Sequence, residues 1–559
     1  MKKRLLLRIV AVTMSTVMIA GCGNSVYTEG TVSKLTEDEA KKELTSLMTK
    51  VDVTENKNPV LDIYSEDVAE ADTLADIDTF PVTVQGHGTI NLEVAAPSEF
   101  SGSAPDDWLN EVADKFNKSG FTSGGKDVSV TVRKISSGEA VTYVSNNAYK
   151  PDIYIPSNEA LGKMLDASGY KSEMLTDRLA GNTAGILMKK DVYEKYTETH
   201  GDVTVKGVLE AANANELKFA YTNPYTSATG LNILTAMLSA FDANDPLSST
   251  ATEALLEYQK TSPPVAYTTG VLRNQAAKGI INAMVMEEQA YINTPELKNY
   301  VYTPVGIRHD HPVYFFDWDG DSDKKDAAKQ FVDFCLLPDM QKLATTKGFN
   351  LHNDYVSQDI GMTGADYIAA QKVWKQNKNG GRPIVAVFVA DVSGSMDGEP
   401  LNSLKQSLIS SSTYISSDHH IGLVSYENDV TINLPIAQFD ATQRAYFSGE
   451  VKKLQAGGGT ATYDAVLTGM QMLEDYAKDI PDAKLMLFVL TDGEQNAGYS
   501  LSRITDVVGG LKIPVYTIAY NYNDVKDLET LSNINEAAQI KANSDDVVNQ
   551  LRNLFNVNL

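Results

Sequence analysis

Cysteine is almost missing from this chain, whose 559 residues contain only Cys22 and Cys335. A disulfide-stapled scaffold is therefore excluded. Histidine is scarce as well, with seven residues, which argues against a multi-histidine metal enzyme. Apart from one run near the N-terminus, no apolar stretch approaches the ~20 residues that a membrane-spanning helix needs. Positive charge is in deficit. Lys and Arg number 48 against 73 Asp and Glu, for a formal net charge of -25. So acidic a chain is repelled by phosphate backbones, and no nucleic-acid partner is expected. What remains is ordinary for a globular protein, at 43% hydrophobic and 22% charged residues. Disordered and collagenous chains are thereby excluded. At about 150 residues per domain, the length allows roughly three or four units.

The opening MKKRLLLRIVAVTMSTVMIAGC places Lys2, Lys3, Arg4 and Arg8 before an apolar run from about Ile9 to Ala20. The pattern is that of a secretory signal, expected over residues 1–21 and excluded from the fold. Its end, Ile19-Ala20-Gly21-Cys22, resembles the lipobox of bacterial lipoproteins. That resemblance implies cleavage before Cys22 and a diacylglyceryl group on its sulfur, with a palmitate-type acyl anchor at the extracytoplasmic face of the cell membrane. Two acyl chains give stable anchoring where one gives only marginal binding.

From residue 22 to 88 the chain is acidic and rich in Thr, and it reads as a tether holding one short helix, TEDEAKKELTSLMTKV. From Thr89 to Lys378, strand-like runs alternate with helical ones, which argues for an α/β domain with mainly parallel sheets. Cys335 falls in the helical run FVDFCLLPD and reads as a small buried hydrophobe. A polar, glycine-containing linker, Lys375–Pro383, precedes a second α/β pattern over residues 383–559.

That pattern opens with IVAVFVAD, a continuous apolar run suited to a central parallel strand. The loop after it, Asp391-Val392-Ser393-Gly394-Ser395, sits where open α/β sheets place their ligand crevice. LMLFVLTDGEQ repeats the logic with Asp492, and GGGTATYDAVL places Thr460 just before a helix. Two carboxylates and three hydroxyls are hard oxygen donors, suited to Mg2+ or Mn2+ and poorly suited to zinc. Asp397, Glu399 and Glu494 read as solvated loop acids, and His419 and His420 as surface residues. The set Asp391, Ser393, Ser395, Thr460 and Asp492 resembles the metal-ion-dependent adhesion site (MIDAS) of von Willebrand factor A (VWA) domains. The resemblance implies a doubly wound Rossmann-like sheet, with a metal whose open position takes an acidic residue of a protein partner.

The preceding region resembles type 2 periplasmic solute-binding proteins. The carriers are INLEVAAPSEF, KPDIYIPSNEA, KFAYTNPYTSATGLNILTAML and the closing NYVYTPVGI with DAAKQFVDFCLLPDMQKLATTKGF. The implied architecture is two α/β lobes joined by crossing strands, with a small solute or anion in the cleft. Ser98, Ser157, Thr226 and Ser227 are its candidate ligands, with helix capping as the alternative role. Arg273 and Arg308 are possible anion partners and otherwise surface residues. The acidic stretch Phe316–Asp326 departs from a calcium loop, carrying Ser322 and Ala328 where Gly and Glu belong, and reads as a solvated turn. His309-Asp310-His311 reads as a surface turn, with a metal shared by the two histidines as the alternative. Taken together, these features predict a lipid-anchored binding protein with a metal-dependent VWA domain and a solute-binding-like domain for sensing or scaffolding. The alternative is the substrate-binding receptor of an ABC-type transporter, with the VWA domain as a docking module. An enzyme is disfavoured, because no acid–base partner accompanies the metal loops.

Overall fold

The computed structural model describes residues 34–542 apart from 63–73, 75, 262, 267–268, 278–280, 359, 413–414, 494, 521–525 and 536–538. The expected signal, Cys22 and Glu494 lie outside the described residues.

The C-terminal sheet is organised by the Ile384–Asp391 strand, every residue of which is buried. Successive side chains of a strand point to opposite faces. Ile384, Ala386, Phe388 and Ala390 enter one core, and Val385, Val387 and Val389 enter the other. The continuous apolar run follows from that double burial. Parallel neighbours flank it on both sides, His420–Tyr426 and Lys484–Thr491. The sheet continues past Lys484–Thr491 through Val515–Tyr520 to Gln539–Ala542, all parallel. On the other side Val430–Gln438 pairs antiparallel with His420–Tyr426. Helices Glu399–Ser412 and Ala441–Lys453 cover one face; Thr462–Tyr476 and Leu501–Leu511 cover the other. His419, expected at the surface, is buried.

The tether reading of residues 22–88 needs correction. The expected helix forms as Glu37–Met48, with a Thr36/Glu39 capping box. It does not stand in solvent, because Ala40, Leu44 and Leu47 join the core containing Val507, Val508 and Leu511. Val53–Glu55 then adds a seventh strand, parallel to Val430–Ile432. Val60 N–H donates to the buried Glu450 carboxylate at 2.7 Å, and Asp62 meets Ser448 and Lys452. The signal for this burial was the i, i+4, i+7 spacing of Ala40, Leu44 and Leu47, outweighed in the sequence by the surrounding charge. The C-terminal domain is thus built from two stretches of chain, with the two-lobed domain inserted between them.

The inserted domain starts earlier than Thr89. Phe80 lies in its core, and Val82–Val84 pairs with Lys126–Lys134. The first lobe's sheet also holds Ile90–Ala96, Ile153–Tyr154, Val313–Phe315 and Glu173–Thr176. The second lobe's sheet runs Val265–Ala266, Phe219–Thr222, Ala283–Glu287, Ala184–Lys189 and Tyr300–Pro304. Its Ala184–Lys189 strand is antiparallel to both neighbours, so the sheets are mixed rather than mainly parallel. Between lobes the chain crosses at 177–183 and again at 305–312. The two crossings are bonded together, Leu179 N–H to Asp310 O at 3.0 Å and His309 N–H to Asn182 O at 3.1 Å. His309 and His311 are therefore not a surface turn; both are fully buried in the second crossing.

The expected linker, Lys375–Pro383, is short and packed. Helix Gly364–Asn377 reaches into it, and Lys378 is buried. Gly380 has φ +66°, and a Cβ there would lie 2.8 Å from Lys260 Cα, so both its conformation and its neighbour demand glycine. Cys335 is buried, as a small hydrophobe would be, and burial pushes its thiol upward. No helix among the described residues is long and apolar enough to cross a membrane.

If Glu37–Met48 belongs to the C-terminal core, Leu44→Ala should destabilise that domain by about 3 kcal/mol, as buried Leu truncations do. Calorimetry of the full chain should show the C-terminal transition falling by roughly 2–4 °C per kcal/mol, with the other transition unmoved. An unchanged thermogram would return the helix to a tether.

Candidate functional site

At the carboxyl end of the central strand three loops meet. Asp391 is fully buried. Its Oδ1 accepts the Ser393 N–H at 2.8 Å, and its Oδ2 accepts the Thr491 hydroxyl at 2.5 Å. Ser393 Oγ lies 3.1 Å from Ser395 Oγ, which donates to Asp492 Oδ1 at 2.8 Å. The third loop is held against the first by Gly457 N–H to Val392 O at 2.8 Å and Gly394 N–H to Gly458 O at 3.2 Å. Thr460, buried in that loop, is tied to the Asp492 loop through Asn496. Its N–H donates to Asn496 Oδ1 at 2.8 Å, and its carbonyl accepts the Asn496 N–H at 3.1 Å. The structure therefore joins Asp391, Ser393, Ser395 and Asp492 in one hydrogen-bonded chain and seats Thr460 on the adjoining loop.

Sequence reasoning missed three supports. Thr491 fixes the far oxygen of Asp391. Asn496 ties two loops together. Tyr426 lies buried below, and burial and then the Asp391 charge push its phenol well above the ordinary value. Thr491 immediately precedes Asp492, so its place beside the site was readable; Tyr426 and Asn496 carry no local signal.

Burial pushes the Asp391 carboxyl upward against its hydrogen bonds, and the nearby Asp492 charge adds to the rise. Burial also raises Asp492, opposed by Ser395. No cationic side chain among the described residues lowers either one. Two carboxylates close together in a partly dehydrated rim fit a cation better than they fit each other. Among the described residues no group of three or more His, Cys, Asp or Glu is arranged for a metal. A cation here would thus be held by hydroxyls and water as well as by two acids, a hard set that fits Mg2+ or Mn2+.

In the two-lobed domain the candidates part company. Ser157 Oγ donates to Glu99 Oε1 at 2.5 Å and lies 3.2 Å from Ser137 Oγ. Ser227 caps helix Ala228–Phe241, accepting the Gly230 N–H, and also receives the Thr222 hydroxyl. Thr226 is buried, its hydroxyl toward Asn223 O. Ser98, by contrast, is exposed and lines a cavity between the lobes. Arg273 is no bystander at the surface, since it pairs with Asp106 of the opposite lobe at 2.8 Å. Arg308 is mostly buried, clamped on Asp310 and on the carbonyls of His352 and Tyr355. His309 Nδ1 meets Glu287 at 2.7 Å, with the Asn158 and Asn232 amides at its Nε2. The acidic turn is organised internally, with Lys324 on Asp319 and Asp152, and Asp321 capping helix Ser322–Cys335.

These two units are the folds of a solute-binding domain and a VWA domain. Residues 99–350 match the family model of a bacterial extracellular solute-binding protein, and residues 386–556 match that of the von Willebrand factor type A domain. The chain thus combines a bacterial solute-binding-protein domain with a VWA domain. Inter-alpha-trypsin inhibitor heavy chain H3 of Bos taurus is 31% identical over 183 residues, which is 30% of this chain and 20% of that protein. This chain accordingly spans about a fifth of that relative's length. Among solved structures, a von Willebrand factor type A protein from Catenulispora acidiphila is 17% identical, covering 31% of this chain and 42% of its own, with a TM-score of 0.29. The sulfate-binding protein SubI from Mycobacterium tuberculosis is 15% identical, covering 51% and 96%, with a TM-score of 0.35.

The buried rim charge predicts a stability cost. At pH 7 in chelator, Asp391→Asn should raise the melting temperature of the C-terminal transition, because it removes a charge that burial disfavours. The folded-state pKa of Asp391 is raised, so the wild-type penalty fades as pH falls through that value and the carboxyl takes up its proton. The advantage of the variant should fade with it. A variant no more stable than the wild type at pH 7, or one whose advantage does not fade as pH falls, would show that the charge is not the cost.

Proposed function

We propose that this chain is an extracytoplasmic binding protein, anchored to the cell membrane through lipid on Cys22. Its VWA domain would hold Mg2+ or Mn2+ with Asp391, Ser393, Ser395, Thr460 and Asp492 and so bind a protein partner. The observation that carries this reading is the rim itself, with two carboxylates raised by burial, hydroxyls beside them, and no cationic partner among the described residues. Bound there, the cation would offer an electrophilic position to an acidic residue of the partner. The chain's own groups do the rest. Thr491 and the Ser393 N–H fix both oxygens of Asp391, Ser395 orients Asp492, and Asn496 holds the Thr460 loop in place. Chain from the inserted domain enters the sheet at Pro383, beside the start of the central strand. The rim lies at the strand's other end, about 23 Å away at 3.3 Å per residue.

The solute-binding domain would sense or scaffold. A second reading, a substrate-binding receptor of an ABC-type transporter, draws support from its two hinged lobes and the cavity between them.

Titrating Mg2+ or Mn2+ into the full-length chain should raise the C-terminal melting transition, by about 2.7 kcal/mol of stability at a hundredfold excess over Kd. The rise should vanish in Asp391→Ala and shrink in Thr460→Ala. Partner binding that persists in chelator, or survives Asp391→Ala, would refute metal-dependent adhesion. Anchoring is tested separately, since metabolic labelling with radioactive palmitate should be lost in Cys22→Ser. Labelling retained in that variant would place the lipid elsewhere.

A further inference from the structure

At Gly138 the two lobes meet backbone to backbone. Gly138 N–H of the first lobe donates to Thr226 O of the second at 3.2 Å. A Cβ on Gly138 would lie 2.0 Å from Tyr225 O, so the two backbones are in contact there. The hydrogen-bond donors beside that contact are also occupied. Ser157 Oγ is bonded to Glu99, and His311 Nε2 lies 3.4 Å from the same carboxylate oxygen. His311 Nδ1 faces Ala180 O at 3.0 Å and must donate to it. The donors that would suit an incoming carboxylate or oxyanion are therefore filled by a carboxylate of the chain itself.

Toward the rim the lobes separate around a cavity of about 490 Å³, within the roughly 300–1,000 Å³ of small-molecule sites. Asp106 and Lys134 line it from the first lobe, and Arg273 and Glu296 from the second. Asp106 and Arg273 neutralise each other across the lobes at 2.8 Å, and Gln289 reinforces Asp106 at 2.9 Å. Lys134 and Glu296 line it from different lobes, and neither forms an ion pair with another described residue. A cavity whose described lining offers an ammonium from one lobe and a carboxylate from the other, beyond the Asp106–Arg273 pair, is complementary to a ligand bearing both charges. A ligand with a single charge would leave one of them unmatched.

We infer that this cavity binds a small zwitterion, a free amino acid, whose carboxylate meets Lys134 and whose ammonium meets Glu296. The Asp106–Arg273 pair closes the two lobes beside it. The inference rests on the reading of this domain as solute-binding and names the class of solute.

The test is calorimetric titration of the full-length chain with each of the twenty protein amino acids. Acetate and methylammonium serve as single-charge probes, and sulfate as an oxyanion. At least one amino acid should bind, with acetate and methylammonium at least tenfold weaker. Lys134→Met and Glu296→Gln, both on accessible cavity walls, should each weaken that binding about tenfold or more, as loss of a charge-assisted hydrogen bond does. Their melting curves should match the wild type. Amino-acid binding unaffected by both substitutions would overturn the assignment. Sulfate or acetate binding that survives Lys134→Met and is lost in Ser157→Ala would also overturn it, moving the ligand to the deep cleft while keeping the domain a solute receptor. If no probe of any class binds, the amino-acid site and the solute-binding reading fall together.

Discussion

The C-terminal domain depends on one constraint, a strand buried on both faces that ends in a charge. Ile384–Asp391 delivers an acidic side chain into the interior because its seven preceding residues are committed to two separate cores. The strand cannot shift by one residue to relieve that charge, since a slip would exchange the sets of side chains facing each core. The rest of the rim follows. Thr491, on the adjacent parallel strand, is in register to reach Asp391. The turn that returns the chain toward helix Glu399–Ser412 supplies Ser393 and Ser395. Stability is spent at this point to hold oxygen donors in place before any ligand arrives, as functional sites commonly require.

Much of this was legible in the sequence, for a physical reason. Double burial writes itself as an unbroken apolar run, and a ligand rim at strand ends writes itself as Asp, Ser and Thr immediately after such runs. The order of strands and loops in the second half was accordingly readable from IVAVFVAD, LMLFVLTD and GGGTATYD. What stayed hidden depends on contacts distant in sequence. Val53–Glu55, with all three residues exposed, owes its place as a strand to backbone pairing with Val430–Ile432. His309 and His311 look like a polar turn until two crossings of the chain are laid side by side. Asn496 becomes meaningful only when the Thr460 loop lies against it.

The two-lobed domain shows the limit of residue-type reasoning in a cleft. Hydroxyls before helices are suited both to ligands and to capping. Ser227 turned out to cap, Ser157 to hold a carboxylate of the same chain, and Ser98 to face open space. Their identities are similar; their different roles come from neighbours distant from each serine's own motif, such as Thr222 beside Ser227 and Glu99 beside Ser157. The close approach of the two lobes depends on an absent side chain, at Gly138, which no local pattern singles out.

The split construction of the C-terminal domain has a consequence for its assembly. Its first helix and edge strand leave the ribosome more than 300 residues before the central strand that they serve. During that interval Ala40, Leu44 and Leu47 have no core to enter. Joining segments so distant would carry a large loop-closure cost if the intervening chain were unfolded. Folding of the inserted domain shortens that loop, because it brings the chain near residue 80 and the chain near residue 380 onto one compact body. Order of synthesis and the cost of loop closure then favour one sequence of events, with the inserted domain first and the C-terminal rim last.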